Sequence, residues 1–167
     1  MKRIITFVIL AALCMNYSFA KKVEALIPDY QIEGAGPGRG DEALVRVYIL
    51  TKDRNKVDDN MLGKAAVHGV LFRGYTDTKS QGFGGASNHT ALAGSPMAYN
   101  ENIDFFEPFF SSGDHMNYVR FIEDQRKVTK VGKDYKVSAV VRVSTGQLKK
   151  DLQSKNVNVI RSLKSGW

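Results

Sequence analysis

Three histidines, His68, His89 and His115, and a run of three carboxylates, Glu101, Asp104 and Glu107, are where acid–base or metal chemistry would have to start in this 167-residue chain. The chain has no His-x-x-x-His, His-Glu-x-x-His or acidic calcium-loop spacing. A metal site would therefore have to be assembled from distant segments, and neither metal ligands nor a cofactor are expected. His115 follows Asp114, and such a pair could orient a general base. His89 lies in a glycine-rich stretch within reach of the same role. No Gly-x-Ser-x-Gly nucleophile signature accompanies them. The three carboxylates are three residues apart, so a helix would place them on one side. They become useful for acid–base work only if a pocket raises one pKa, and three solvated acids are the default expectation. His68 sits at the edge of an apolar helical face and reads as a packed or hydrogen-bonded structural residue.

Binding chemistry has better material. Phe105 and Phe109, and Phe106 and Phe110, are i,i+4 pairs, so a short helix gathers four rings on one side, either as core or as an exposed aromatic patch. Pro108 within it should shorten or distort that helix. Lys149, Lys150 and Arg142 belong to a basic C-terminal part. Residues 21–112 carry ten Lys/Arg against twelve Asp/Glu, whereas residues 113–167 carry twelve against five. A field of that sign favours an envelope protein with an acidic surface, an anionic glycan or a lipid head group. Nucleic acid is not an expected partner, because an exported protein rarely meets it. Oligomeric state is not legible.

Export is read from residues 1–20. Lys2 and Arg3 precede the apolar run Ile4–Leu13, and Ser18 and Ala20 put small residues at −3 and −1 of a cleavage site, the pattern of a secretory signal peptide. The run is too short to span a bilayer, which takes about 20 residues. A periplasmic or extracellular location follows. Cys14, the sole cysteine, follows the large Leu13, so a lipid anchor there is not expected. Cleavage after Ala20 leaves a chain with no thiol and a net charge of +5 instead of +7, in which stability must come from packing.

Residues 21–42 form a flexible, glycine-rich lead-in, where Arg39-Gly40-Asp41 spells an adhesion tripeptide of a length that arises by chance. Ala43–Thr51 is apolar on both faces, as in a central strand. The charged turn Lys52–Lys56 precedes a helix capped by Asp58 or Asp59, running to about Arg73 and stopped by Gly74. Its apolar residues lie nearly all round, and Gly69 invites close packing against a sheet. Residues 75–98 form a long Gly-rich loop. His115–Glu123 contains a strand, and residues 128–131 pair with 135–144 through a type II′ turn at Gly132-Lys133. Ser144 and Gln147 have capping-box spacing for a helix through Ser154, and Val157–Ile160 adds a last edge strand.

The segments Ala66-Val-His-Gly-Val-Leu-Phe-Arg-Gly-Tyr75, Phe105-Phe106 to Phe110, Val131-Gly-Lys-Asp-Tyr-Lys-Val137, Leu148-Lys-Lys-Asp-Leu152 and Ser165-Gly-Trp167 resemble a group of short exported proteins of Gram-negative anaerobes with no assigned activity. The resemblance spans nearly all of residues 21–167 and implies one domain, 43–167, without catalytic residues. The expected fold is α+β: a small, mostly antiparallel sheet of three to five strands, two main helices on one face and a short aromatic helix. Small α/β modules of bacterial envelope assemblies, including flagellar and curli-secretion proteins, are similar at fold level only. The expected function is an exported, non-enzymatic binding or structural module of the cell envelope. The alternative is a small periplasmic hydrolase built on His89 or His115 with Asp114, Glu101 or Asp104.

Overall fold

The computed structural model describes residues 26–77, 87–155 and 157. The leader at 1–20, with Cys14, lies outside the described residues, as does the final strand expected at 157–160 apart from Val157.

Strand β2 (Ala43–Thr51) alternates strictly: Ala43, Val45, Val47 and Ile49 are buried, while Leu44, Arg46 and Tyr48 face the other side. It pairs antiparallel with β7 (Asp134–Val143) over nine residues, matching Val45 to Val141, Val47 to Ala139 and Ile49 to Val137. Same-face partners across a ladder are direct neighbours, so these valines fuse into one apolar sheet face. β1 (Tyr30–Gly34) flanks β2, and β5 (Val119–Phe121) and β6 (Lys127–Val131) both pair with β7. The result is a five-stranded antiparallel sheet in the order β1-β2-β7-β5, with β6 also on β7. Gly132, with φ +62°, turns β6 into β7, and Asp124 is the sole non-glycine with positive φ among the described residues, so Lys133 meets the type II′ requirement.

Helix α1 (Asp59–His68) starts where the Asp58 side chain accepts the Met61 N–H at 2.7 Å. It packs on β2, β7 and the 3-10 turn at 114–118, and its Leu62, Ala65, Ala66 and Val67 are all at or near zero exposure. Burying side chains of this kind contributes about 1.5–3 kcal/mol for each large one. The chain then widens into a π-helical turn, Gly69–Arg73, ended by Gly74 at φ +72°. That wide turn leaves the Val70 and Leu71 carbonyls to be satisfied from outside, and the Leu92 and Ala93 N–H groups do so at 3.1 and 2.8 Å. The helix read as running to Arg73 is thus continuous but changes its hydrogen-bond period.

Three expectations change. The lead-in 21–42 contributes β1, whose edge pairing makes residues 35–42 a hairpin connection instead of a free arm. The loop 75–98 holds a second, two-stranded sheet, β3 (Tyr75–Asp77) with β4 (Ser87–His89), and its last residue opens a short helix, α2 (Ala98–Glu101). Ser144 caps α4 (Thr145–Ser154) without a side-chain bond, and Gln147 donates to Asp151 at 2.8 Å, so no capping box forms. Instead Asp41 supplies the cap: its carbonyl accepts from the Gly146 N–H at 2.9 Å and the Thr145 hydroxyl at 2.6 Å. Leu148 and Leu152 are buried as expected. The fold is α+β, with an antiparallel sheet and helices.

Candidate functional site

Helix α3 (Ile103–Ser111) carries the four phenylalanines, and it passes through Pro108 without breaking. Pro108 and Asp104, whose carbonyl loses the proline's bond, are both exposed, so the missing bond falls on the solvent side of the helix. Phe106, Phe109 and Phe110 are buried and Phe105 half-buried. Of the two readings, core or exposed patch, core holds for Phe106, Phe109 and Phe110, which leaves those three no partner-binding surface. These rings meet His68, Phe72 and Tyr99 at centroid distances of 4.9–6.2 Å, edge-on or tilted except where Tyr99 stacks on Phe106. Phe105 alone keeps an outer edge, with the Lys155 ammonium 5.6 Å from its centroid.

The histidines do not converge. His115 heads a 3-10 turn, Asp114–Tyr118, and not a strand, because its ring is needed inside: it is fully buried against Phe109 and Phe110. Its Nε2 lies 3.3 Å from the Asn60 carbonyl, and Nδ1 makes no hydrogen bond of acceptable geometry. Burial lowers its pKa, with the backbone at Asn60 and Phe109 opposing that fall. Asp114 is exposed, as are Glu101, Asp104 and Glu107, so the expected acid–base set stays dispersed over α2, α3 and the 3-10 turn. His68 behaves as read from its position on the helix. Its Nδ1 is 2.7 Å from the Tyr30 hydroxyl, and burial, with the Arg73 cation nearby, pulls its pKa down to about 4.

His89 occupies a different place. It stacks flat on Tyr75, its cross-strand partner, at 4.5 Å and 13°, and its Nε2 lies 3.2 Å from the Ser87 hydroxyl two residues away on the same strand face. These residues line a groove of about 630 Å³ between the β3–β4 hairpin, the glycine-rich connection 36–40 and the first turns of α4. Lys149 also lines it, whereas Lys150 is exposed outside it. Glu42 at its edge is paired with Arg142 at 3.3 Å, so that arginine is engaged within the fold. The groove floor is apolar, through Val70 and Leu92.

The second concentration of function-bearing groups is electrostatic. The β2–β7 pairing brings the turn 52–56 next to the β6–β7 hairpin, and Arg54 lies 6.0 Å from the Tyr135 ring. Residues 52–56 and 124–136 together hold eight Lys/Arg against three Asp. Arg126 is spent on Asp59 and the Val57 carbonyl. Lys52, Lys56, Lys127, Lys130 and Lys133 are exposed and form no ion pair with a described residue. Both segments look basic in the sequence, but they are about 80 residues apart, and only the ladder joins them. Tyr48 was also not singled out by spacing. Its hydroxyl donates to Glu33, its ring takes the Lys136 ammonium at 3.9 Å, and its pKa is pushed up to about 12 by burial and that carboxylate.

Among the described residues no three His, Cys, Asp or Glu side chains gather into a metal-binding group, and no helix is long and apolar enough to cross a membrane. No family model, curated protein or solved structure matches the chain.

Proposed function

We propose that this chain is an exported, non-enzymatic binding or structural module of the bacterial cell envelope that contacts an anionic or protein partner. The observation that carries the reading is the basic end of the sheet, where five lysines stand in solvent without an ion pair to a described residue. Uncompensated like charges repel one another, and an anionic partner relieves that repulsion while steering its own approach. The leader pattern at residues 1–20 supports export, and with it an envelope partner. Crosslinking in intact cells followed by mass spectrometry of the captured material tests this directly. A captured envelope component, lost when the basic end is reversed in charge, is the expected outcome. An inert monomer with nothing crosslinked sinks the reading.

One contact favours the hydrolase alternative, the 3.2 Å approach of Ser87 Oγ to His89 Nε2 inside the groove. None of Asp114, Glu101 and Asp104 lines that groove, so the residues expected to orient the base are not its neighbours. A fluorophosphonate probe separates the readings, because an activated Ser87 is labelled and a merely hydrogen-bonded one is not.

A further inference from the structure

We propose that the β6–β7 hairpin end is a docking face for an anionic phospholipid surface, an inference that rests on the binding-module reading and names its partner. The argument begins with apolar exposure. Among the described residues five large apolar side chains stand exposed, and three of them, Leu50, Val128 and Val131 at 60%, 45% and 49%, belong to this end, Leu50 and Val131 on the sheet's outer face and Val128, opposite Val137, on the other. All five residues of β6 are exposed, so the hairpin projects beyond the core it is paired to. Leu50 and Val131 share one shallow dent of about 430 Å³ on the sheet's outer face, with Tyr48 and Lys136 in its lining.

Exposed aliphatic tips alone would suit a protein partner equally well. Here they are ringed by cations: Lys52 follows Leu50 in sequence after Thr51, and Lys130 and Lys133 bracket Val131 and the Gly132 turn. Lys136 is held over Tyr48 at 3.9 Å, which places a tyrosine with an apolar ring and a polar hydroxyl at the same level. The acids about this rim are Asp29 in the dent, Glu33 bonded to Tyr48 and paired with Arg46, Asp53 beside Lys52 and Asp134 beside Lys133, and against the eight Lys/Arg of residues 52–56 and 124–136 they leave this end net positive. A small apolar tip, an amphipathic ring and a lysine collar match a bilayer interface, where acyl chains lie beneath anionic head groups. A soluble glycan would satisfy the lysines but leave Leu50 and Val131 in water.

Co-sedimentation of the exported protein with phosphatidylcholine vesicles, with or without about one third phosphatidylglycerol, tests the proposal. Binding to the anionic vesicles only, weakening as salt rises, is expected. The double variant Lys130→Glu/Lys133→Glu should weaken partitioning at least ~30-fold, since each surface cation contributes about 1 kcal/mol at an anionic membrane. Leu50→Ser/Val131→Ser should weaken it about tenfold and leave the salt dependence in place. All four positions are outside the packed core, and circular dichroism of the variants checks that they fold. Two results overturn the proposal: vesicle binding unchanged by both variants, or binding to a soluble polyanion such as heparin with none to anionic vesicles. In the second case crosslinking to an envelope glycan or protein would still uphold the binding-module reading, so the two fail separately.

Discussion

His68 lies between Tyr30, Phe72, Tyr99 and Phe110, and its environment penalises the protonated ring. With the imidazole neutral and the Tyr30 pKa raised by burial, the tyrosine O–H is assigned as donor to Nδ1. The Arg73 guanidinium, 4.3 Å from the Tyr30 ring centroid and bonded to the Tyr30 carbonyl at 3.1 Å, adds a like charge against protonation. The folded pKa of about 4 lies below the ordinary 6.5, so between those values the unfolded chain binds the proton and the folded chain does not. Stability from this site is therefore complete above about pH 6.5 and falls as the pH drops toward 4, by up to about 3 kcal/mol. His115 acts in the same direction. Urea unfolding between about pH 5 and 7 should show this slope, reduced in His68→Gln, which can still accept the Tyr30 bond. An unreduced slope in that variant assigns the acid lability elsewhere.

Strand β1 illustrates how an element can be decided by its neighbour. Tyr30-Gln-Ile-Glu-Gly34 alternates, but it is short and opens into glycines, and its pairing is templated by β2, with Ile32 opposite Val47. Gly34 marks its end for a steric reason. A Cβ there would come within 2.6 Å of the Asp77 backbone, so β3 packs against β1 only because residue 34 has no side chain. Gly34→Ala should therefore destabilise by about 1–3 kcal/mol, although alanine ordinarily suits a strand better than glycine. Thermal unfolding measures the loss, and an increase in stability would mean that β3 does not press on β1. Elements with a strong internal period were legible: Ala43–Thr51 has the bounds expected of it, and Asp58 caps α1. Elements made by docking were not. β3 and β4 are three residues each, too short to show a period of their own in a stretch rich in glycine and polar residues. The candidate groove escaped notice for the same reason, since Lys149 and His89 come together through Asp41 capping α4 and through the Val70 and Leu71 carbonyls anchoring residues 92–93. Arg142 and the phenylalanines were legible as residue types but not as to which side would be covered.

At the scale of the molecule, a rigid centre carries two pliant margins. The β2–β7 ladder spans nine paired residues and is flanked by strands on both sides, with α1 across its apolar face. Its amides should open only with global unfolding, at the full stability of the domain, on the order of 5–15 kcal/mol. β4 and β6 are exposed at every residue and sit at opposite functional candidates, the groove and the basic hairpin. Their amides should exchange through local openings far cheaper than that. Hydrogen exchange followed by mass spectrometry therefore gives both a stability map and a docking assay. With anionic vesicles added, slowing should concentrate in residues 127–136 and 52–56, because held head groups suppress the local opening of the hairpin. The central ladder should slow only by the general stabilisation that any ligand of the folded state confers. A partner seated in the groove would instead protect residues 87–89 and the first turn of α4. Exchange unaltered at both margins would mean that neither surface is where this domain meets its partner.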